Sequence, residues 1–252
     1  MTEIRAAILV TDDYLYARQF IEELLRTDHD TIKLLIEVDY PLIRWSAPAR
    51  SLREFCVLAL LYGLRGIARA LLNFRSRNRP RTSISPGIIR MRTADPNGAS
   101  VLDALKSHRI NLIINQCPCR LGGEILALPS EGVWNRHCGT LPGYRGMYTP
   151  FWMWYYRESR ATPSIIRVGE KFDDGEILVS ESVDISECRF PSQVMAQSMR
   201  GSAGQMKRLL VMAANGNTAG QPQTGVPVYR PVPSWTILAK AGKRLVMQSL
   251  LR

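Results

Sequence analysis

Asn135 and His137 stand two residues apart at the end of the apolar segment GVWNRH. Side chains alternate along a strand, so the two residues lie on the same face if this segment is a strand. An amide donor can stabilise a developing oxyanion, and an imidazole can hold or move a proton. The pair suits chemistry at a carbonyl carbon, although an isolated Asn-x-His is more often a hydrogen-bonded structural pair.

A rigid turn and a carboxylate follow this pair. LPGYRG, at residues 141–146, predicts a turn that holds backbone close to a ligand. KFDDGEIL, at residues 171–178, places an acid and a glycine in a turn before a strand. An aspartate brought next to His137 could orient the imidazole or a water molecule and accept a proton. Residues 135–175 are therefore the candidate site.

Alternating strands and helices are predicted to position these residues. The apolar runs at 4–10 and 31–38, with a helical pattern from Tyr14 to Leu25 between them, open a parallel sheet. The alternation resumes with a helix from Ser100 to His108, strands at 110–115 and 132–135 and a helix in EILAL between them, extended segments at 163–168 and 176–185, and a helix from Ser192 to Asn215. The fold class is α/β: a Rossmann-like, mostly parallel sheet with helices on both faces.

Two basic regions accompany an acidic body. Residues 43–92 contain eleven Arg, no Lys and one Glu, and no acid follows Glu187. We therefore expect a catalytic domain at 1–190 with an Arg-rich helical insertion at about 43–92, and a C-terminal helix with a basic tail at 191–252. Charge concentrated in this way favours an anionic partner, either a phosphate-bearing molecule or a membrane surface.

Both basic regions contain helices with a cationic stripe. Arg65 and Arg69 share one face of a helix predicted from Ser51 to Phe74. Lys240, Lys243 and Arg244 share one face of the segment at 237–251. Such helices either pack on the domain with one solvated edge or lie on anionic lipid.

The expected location is the cytoplasm, with peripheral membrane association open. The N-terminal segment has acids where a secretory signal would stay apolar, and the longest apolar run, at 55–64, is about half of a membrane span. The five cysteines include no CxxC pair, which is typical of free or buried thiols in a reducing compartment.

The combined motif resembles that of the folate-dependent formyltransferases, in particular the branch of the sugar N-formyltransferases and the methionyl-tRNA formyltransferase catalytic domain. The resemblance rests on Asn-x-His, Leu-Pro-x-Tyr-Arg-Gly and Asp-x-Gly before an apolar strand, and covers roughly residues 4–38 and 100–185. It implies transfer of a formyl group from 10-formyltetrahydrofolate to an amine, with no metal.

The resemblance also implies roles for individual residues. Asn135, His137 and Asp173 match the catalytic positions; Asp174 falls where the family usually has Gly or Thr. Direct attack of the amine on the formyl carbon is implied, with Asp173 helping the proton to leave. The donor is expected to contact the segment after the fourth strand and the loop before the acid, namely Gln116, Cys117, Pro118, Cys119, Arg120, Leu121, Gly169, Glu170 and Asp173.

Two positions depart from the family pattern. Cys138 stands where the family often has Ser, and a packing role is expected for it because the reaction needs no covalent intermediate. Arg167 stands where many members have His. Neither change touches the three catalytic positions, but both affect the expected shape of the folate pocket.

The acceptor is expected to be a small anionic amine. LVTDDYLYARQF lacks the Gly-rich phosphate loop of the purine-pathway enzyme, and the C-terminal domain of the tRNA enzyme is not expected here. Tyr144, Arg145, Arg65 and Arg69 are the candidate acceptor residues, because Arg suits bidentate contact with diphosphate. A nucleotide-linked amino sugar is the leading acceptor candidate, and a lipid-linked sugar and an amino-acid-type metabolite stay open. A formyltransferase-like protein that binds folate or a membrane without catalysing is the alternative of another class. A homodimer is also open.

Overall fold

The computed structural model of the protein describes residues 2–11, 17–27, 30–39, 48–75 and 87–250. Its central feature is a seven-stranded sheet in the order β3-β2-β1-β4-β5-β7-β8. The strands are β1 (Ala6–Thr11), β2 (Ile32–Val38), β3 (Ile89–Thr93), β4 (Leu112–Gln116), β5 (Val133–His137), β7 (Ser164–Arg167) and β8 (Ile177–Ser180). Two short strands, β6 (Arg160–Ala161) and β9 (Val183–Asp184), pair separately.

The first five strands of this order are parallel, and β7 and β8 are antiparallel additions at the β5 edge. All six residues of β1 are buried, as expected for a parallel strand covered on both faces. Ile8 and Val10 face one core and Ala7 and Leu9 face the other, which follows from the two-residue period of a strand.

Eight helices surround the sheet in the part of the chain that the structure describes. They are α1 (Arg18–Thr27), α2 (Pro48–Arg75), α3 (Ala99–Ser107), α4 (Gly123–Ala127), α5 (Thr149–Tyr156), α6 (Pro191–Met199), α7 (Ser202–Ala214) and α8 (Trp235–Leu250). Helices α1 and α7 pack on one face of the sheet, and α3 and α4 pack on the other. The predicted fold class is therefore confirmed.

The sheet extends into the predicted insertion. Four of the five residues of strand β3 lie within the range 43–92, and β3 pairs in parallel with β2, so it belongs to the central sheet. Its Arg90 donates through two nitrogens to the buried carboxylate of Glu37, at 2.6 Å each. An Arg-rich strand is tolerated here because β3 is an edge strand and Arg90 neutralises a buried acid.

One helix was not predicted, and one helical prediction needs correction. Helix α5 lies in the sequence TPFWMWYY, where burial on most sides removes the polar stripe that signals an amphipathic helix. The single helix predicted from Ser192 to Asn215 is two helices, because the backbone at Gly201 has a left-handed φ of 79°. Helix α7, within the segment predicted at 191–252, carries part of the main core.

The two basic helices share a third core with α5 and α6. Leu58 and Leu61 of α2 pack in this cluster with Ala241 of α8, and Leu238 and Leu245 of α8 pack against it. The apolar side of α8 is thus covered by protein, while Lys240 and Lys243 are exposed. The side chains of Arg65 and Arg69 lie outside the described residues.

None of the described helices is long and apolar enough to cross a membrane.

Candidate active site

A cavity of about 290 Å³ lies at the carboxyl ends of the parallel strands. Thr11 at the end of β1, Gln116 at the end of β4 and His137 at the end of β5 all line it. The strand order reverses between β1 and β4, and a ligand crevice is expected outside such a point in an open α/β sheet. The topology therefore places the candidate site where a ligand can enter.

The cavity walls include every residue that the sequence predicts for the donor. One wall is the segment after β4, and the facing wall is the loop between β7 and β8. The predicted donor residues on the lining are Gln116, Cys117, Pro118, Cys119, Arg120, Leu121, Gly169, Glu170 and Asp173. Asn135 and His137 line the same cavity, so the two parts of the predicted site converge.

The imidazole of His137 is held in a single orientation by a backbone carbonyl. Its Nε2 lies 2.6 Å from the carbonyl oxygen of Tyr144, which can only accept, so Nε2 carries the proton and donates. Its Nδ1 faces the carboxylate of Asp173 at 3.5 Å. The ring nitrogen available for chemistry is therefore Nδ1, on the side of the acid.

Asp173 is fixed by its backbone as well as by its carboxylate. Its φ of 55° is in the left-handed region, where a non-glycine residue is uncommon. The Gly146 N–H donates to Oδ2 at 2.7 Å, and the Gln223 side chain donates to the Asp173 carbonyl at 2.8 Å. These contacts aim the second carboxylate oxygen at His137.

The surroundings keep Asp173 ionised. Burial on its own raises the pKa of this carboxyl, but the hydrogen bond and charge of the doubly protonated His137 ring, whose Nδ1–H then faces the carboxylate, and the N–H of Gly146 lower it by more. The charge of Arg145 acts in the same direction, so the pKa lies below its ordinary value. The neighbouring Asp174 does not line the cavity.

Asn135 completes the group from the same face of β5. Its side chain is half-buried and lines the cavity two residues before His137, as strand alternation predicts. Its amide can therefore donate into the space that His137 and Asp173 border.

A segment that the sequence analysis missed holds these parts together. Residues 218–234, which we call the C-terminal strap, run from the β8 edge across the 141–146 turn to helix α8. Gln221 pairs with Ile177 on the edge of the sheet, and the backbone at Val228 bonds to Pro142 and Arg145. Many of its contacts join its backbone to residues distant in sequence, so no periodic pattern signals them.

Gln223 is the central side chain of the strap. Its Nε2 donates to the carbonyls of Asp173 and Gly175 at 2.8 Å each, and its Oε1 accepts from Arg145 at 2.9 Å. One amide therefore joins the turn that carries Gly146 to the turn that carries Asp173.

The strap also approaches Gly146 closely. Gly146 has a φ of 109°, and a Cβ there would lie 2.8 Å from the carbonyl oxygen of Arg230. Only glycine fits this position, which explains the last residue of the LPGYRG turn in physical terms. Tyr229, next along the strap, lines the cavity and is 61% exposed.

Two predicted acceptor residues do not lie on the cavity lining. Tyr144 is buried; its hydroxyl donates to Glu158 at 2.5 Å, and burial together with this bond raises the pKa of the phenol. The guanidinium of Arg145 is bonded to Gln223. Both residues lie behind the lining and contact residues of the site, Tyr144 through its carbonyl to His137 and Arg145 through its guanidinium to Gln223.

Other cations take the place on the cavity that was predicted for these two residues. Arg50 at the start of α2 and Lys171 in the β7–β8 loop line it, together with Arg120. Arg50 bonds to Glu54 at 2.9 Å while 66% of its side chain stays exposed. The high density of Arg around residue 50 indicated a basic surface there, but no spacing rule identified Arg50 as a cavity residue.

The two departures from the family motif have structural roles. Cys138 is buried in the core shared by α2, α5, α6 and α8, as expected for packing. Arg167 donates to the carbonyls of Glu131 and Thr218 at 2.9 and 3.1 Å, so it fastens the beginning of the strap. Within the described ranges, no group of three or more His, Cys, Asp or Glu side chains could hold a metal ion.

Two curated relatives share part of the sequence. A methionyl-tRNA formyltransferase of Flavobacterium psychrophilum is 33% identical over 88 residues, covering 35% of this chain and 28% of that protein. A GDP-perosamine N-formyltransferase of Brucella melitensis is 37% identical over 65 residues, covering 26% of this chain and 25% of that protein. The matches thus span about a quarter of the relatives' own length, and no protein-family model matches the chain.

Solved structures are similar over most of the chain. Glycinamide ribonucleotide transformylase 1 from Symbiobacterium toebii matches with a TM-score of 0.58 and 15% identity, covering 84% of this chain and 88% of that one. An N-formyltransferase from Helicobacter canadensis, in complex with folinic acid and dTDP-3-aminofucose, matches with a TM-score of 0.53 and 13% identity, covering 90% and 70%. The predicted resemblance to the formyltransferases is confirmed in sequence and in fold.

Proposed function

We propose that this chain, with formyltransferase relatives and the formyltransferase fold, is an N-formyltransferase that moves a formyl group from 10-formyltetrahydrofolate to a primary amine. The observation that carries the proposal is the meeting of Asn135, His137 and Asp173 on one cavity, with His137 Nδ1 3.5 Å from the Asp173 carboxylate. An amide donor, an oriented imidazole and an ionised carboxylate are the groups that acyl transfer to an amine requires.

The donor is proposed to lie between the segment at 116–121 and the β7–β8 loop. The lining there includes apolar residues, such as Leu121, Ile166 and Val168, and backbone peptide groups are available along both segments. A flat heterocycle with several donors and acceptors fits such a wall, since apolar faces take the ring and peptide groups orient its edge. The formyl group would then point toward Asn135 and His137.

The reaction would proceed by attack of a neutral amine on the formyl carbon. The Asn135 amide would donate to the oxyanion of the tetrahedral intermediate. The amine's proton would pass toward Asp173 and His137 Nδ1 and on to the departing folate nitrogen, as the carbon–nitrogen bond to folate breaks. The distance between His137 Nδ1 and the Asp173 carboxylate is 3.5 Å, and it would shorten when substrates bind, as the distances of catalytic hydrogen bonds commonly do.

The acceptor class that we favour is an amino sugar linked to a nucleotide diphosphate. Two observations support it: the sugar-nucleotide acceptors in the names of similar proteins, and the largely exposed Arg50 and Tyr229 on the cavity. Guanidinium binds phosphate oxygens in a bidentate manner, and a tyrosine ring stacks on a sugar or a base.

The test compares an amino sugar nucleotide with the same amino sugar lacking the nucleotide, by following consumption of 10-formyltetrahydrofolate. We expect the nucleotide form to react at a lower KM, and Arg50→Ala to raise that KM about tenfold with little change in kcat. Lys106→Ala, which removes an exposed cation on α3, is the matched control. Equal KM values for the two substrates would reject this acceptor class.

A further inference from the structure

We propose that Cys117 and Cys119 form a redox-active dithiol in the cavity wall, a modification site at which peroxides produce a reversible intrachain disulfide. Both residues line the cavity, in the segment that follows β4. The formyl-transfer chemistry proposed above uses neither thiol, so this site adds a second property to the same cavity.

The geometry brings the two sulfur atoms together. Cys117 Sγ lies 2.8 Å from Cys119 Sγ, and the Cys117 thiol donates to the Cys119 sulfur. The backbone N–H of Cys117 is held at 2.9 Å by the Asn115 side chain, and Pro118 limits the backbone between the two cysteines. The pair is thus held in proximity, and bond formation requires little movement of either residue.

Access and thiol acidity both favour Cys119 as the first sulfur to react. Cys117 is buried, whereas Cys119 is half-buried and reachable from the cavity. The hydrogen bond from Cys117 lowers the pKa of Cys119 by more than burial and Asp95 raise it. By contrast, burial raises the pKa of Cys188, with Asp184 and Glu187 adding to the effect. Thiolate is the reactive form, so oxidation is directed to the cavity pair.

The chemical step balances with hydrogen peroxide as the oxidant. The Cys119 thiolate takes one oxygen from the peroxide, which gives a sulfenic acid and, after protonation, one water. The Cys117 sulfur then attacks the sulfenic sulfur, forms the Sγ–Sγ bond and releases a second water. The two thiols lose two hydrogen atoms in total, and one peroxide becomes two waters; a dithiol reductant reverses the change.

Oxidation would also affect donor binding, and this consequence rests on the proposed function. The bond would fix the backbone around Pro118, on the wall that is proposed to hold the heterocycle. Loss of one hydrogen bond of ordinary strength between this wall and the formyl donor lowers the affinity for the formyl donor about tenfold. The cavity is therefore expected to bind the formyl donor about tenfold more tightly in its reduced state than in its oxidised state.

The first experiment maps the disulfide in the full chain without any activity assay. Reduced protein is treated with hydrogen peroxide, alkylated with iodoacetamide and analysed by peptide mass spectrometry. We expect the peptide with Cys117 and Cys119 to be unalkylated and lighter by two hydrogen atoms, with Cys56 and Cys188 still alkylated. Dithiothreitol should restore alkylation of the pair. Alkylation of both cavity cysteines after peroxide treatment would overturn the proposal.

The second experiment measures binding of folinic acid before oxidation, after oxidation and after reduction again. Wild type and Cys188→Ser should lose affinity on oxidation and recover it, whereas Cys119→Ser should show the same affinity in all three states. An oxidised, disulfide-bearing wild type that binds as tightly as the reduced protein would overturn the effect on donor binding. Absence of binding by the reduced wild type would instead count against the proposed function. The peptide mass spectrometry of the first experiment would still show whether Cys117 and Cys119 form a disulfide.

Discussion

At the scale of single residues, the arrangement around His137 assigns different tasks to its two ring nitrogens. Nε2 is occupied by the Tyr144 carbonyl, so it orients the ring, and Nδ1 is left to exchange a proton with Asp173. Asp173 is itself anchored by Gly146, and its pKa is lowered. In the proposed reaction, a proton that leaves the attacking amine would therefore have an ionised carboxylate and an oriented imidazole next to it.

Replacing Asp173 by Asn removes the charge and keeps the size of the side chain. We expect kcat for formyl transfer to fall by a factor of about 10² to 10⁴, the usual contribution of a positioned acid or base. Steady-state kinetics with folinic acid titrations should show a much smaller loss of donor affinity. Asp174→Asn is the matched control, because this neighbouring carboxylate does not line the cavity. Equal losses in the two variants would contradict the assigned role.

The lowered pKa of Asp173 also makes a prediction about stability and pH. A depressed folded-state pKa means that the ionised carboxylate stabilises the fold above its unfolded pKa of about 3.9, and that this contribution is lost as pH falls through the folded value. The difference in unfolding free energy between wild type and Asp173→Asn should therefore shrink below about pH 4. Urea unfolding of both proteins from pH 5 to pH 3 measures this difference. A difference that grows as the pH falls would contradict a lowered pKa of Asp173 in the folded protein.

At the scale of elements, the sequence predicts the parts of the site that arise from local regularity. Strand β5 follows from its apolar run, and alternation along it places Asn135 and His137 on one face. The aspartate turn follows from Asp-Gly before an apolar segment. Helix α5 escaped prediction because it is buried on most sides, and the strap because long-range backbone contacts determine its position.

The strap gives a test at this scale through Gln223. Gln223→Ala removes three hydrogen bonds that join the two turns of the site, each worth about 1 kcal/mol. We expect kcat to fall about tenfold or more with donor affinity little changed, because Asp173 loses one of its two anchors and keeps only the Gly146 N–H. Gln221→Ala keeps the backbone pairing with Ile177 and removes only an exposed side chain, so it should behave as wild type. Matching kinetics for the two variants would show that Gln223 does not position the acid.

The turn between β7 and β8 depends on Gly175. A Cβ at this residue would overlap the carbonyl group of Arg167 on the facing strand. Gly175→Ala should therefore lower the free energy of unfolding by about 3 kcal/mol, as expected for overpacking against backbone. Gly123→Ala, where a Cβ meets no atom within 4 Å, should be neutral or slightly stabilising in the same urea titration. Similar stabilities for the two variants would contradict this account of the turn.

At the scale of the whole molecule, the basic regions are parts of the fold as well as sources of charge. Helix α8 packs its apolar side into the same core as α2, and Arg244 donates to the carbonyl of Trp154 at 2.8 Å. Strand β3 completes the sheet, and Arg50 reaches the cavity from the start of α2. Arg50, Arg120 and Lys171 bring part of the chain's net charge of +11 to the cavity lining, which is the charge that the proposed anionic acceptor would need.

The central claim is that this cavity transfers a formyl group to an amine. The most direct measurement is mass spectrometry of the acceptor after incubation with 10-formyltetrahydrofolate carrying a ¹³C-labelled formyl group, using a panel of amino sugar nucleotides, amino sugars and amino acids. The account predicts that one amine gains one labelled formyl group with wild-type protein, and gains none with His137→Ala at equal folded concentration. Absence of label from every amine, or equal labelling by wild type and His137→Ala, would contradict it.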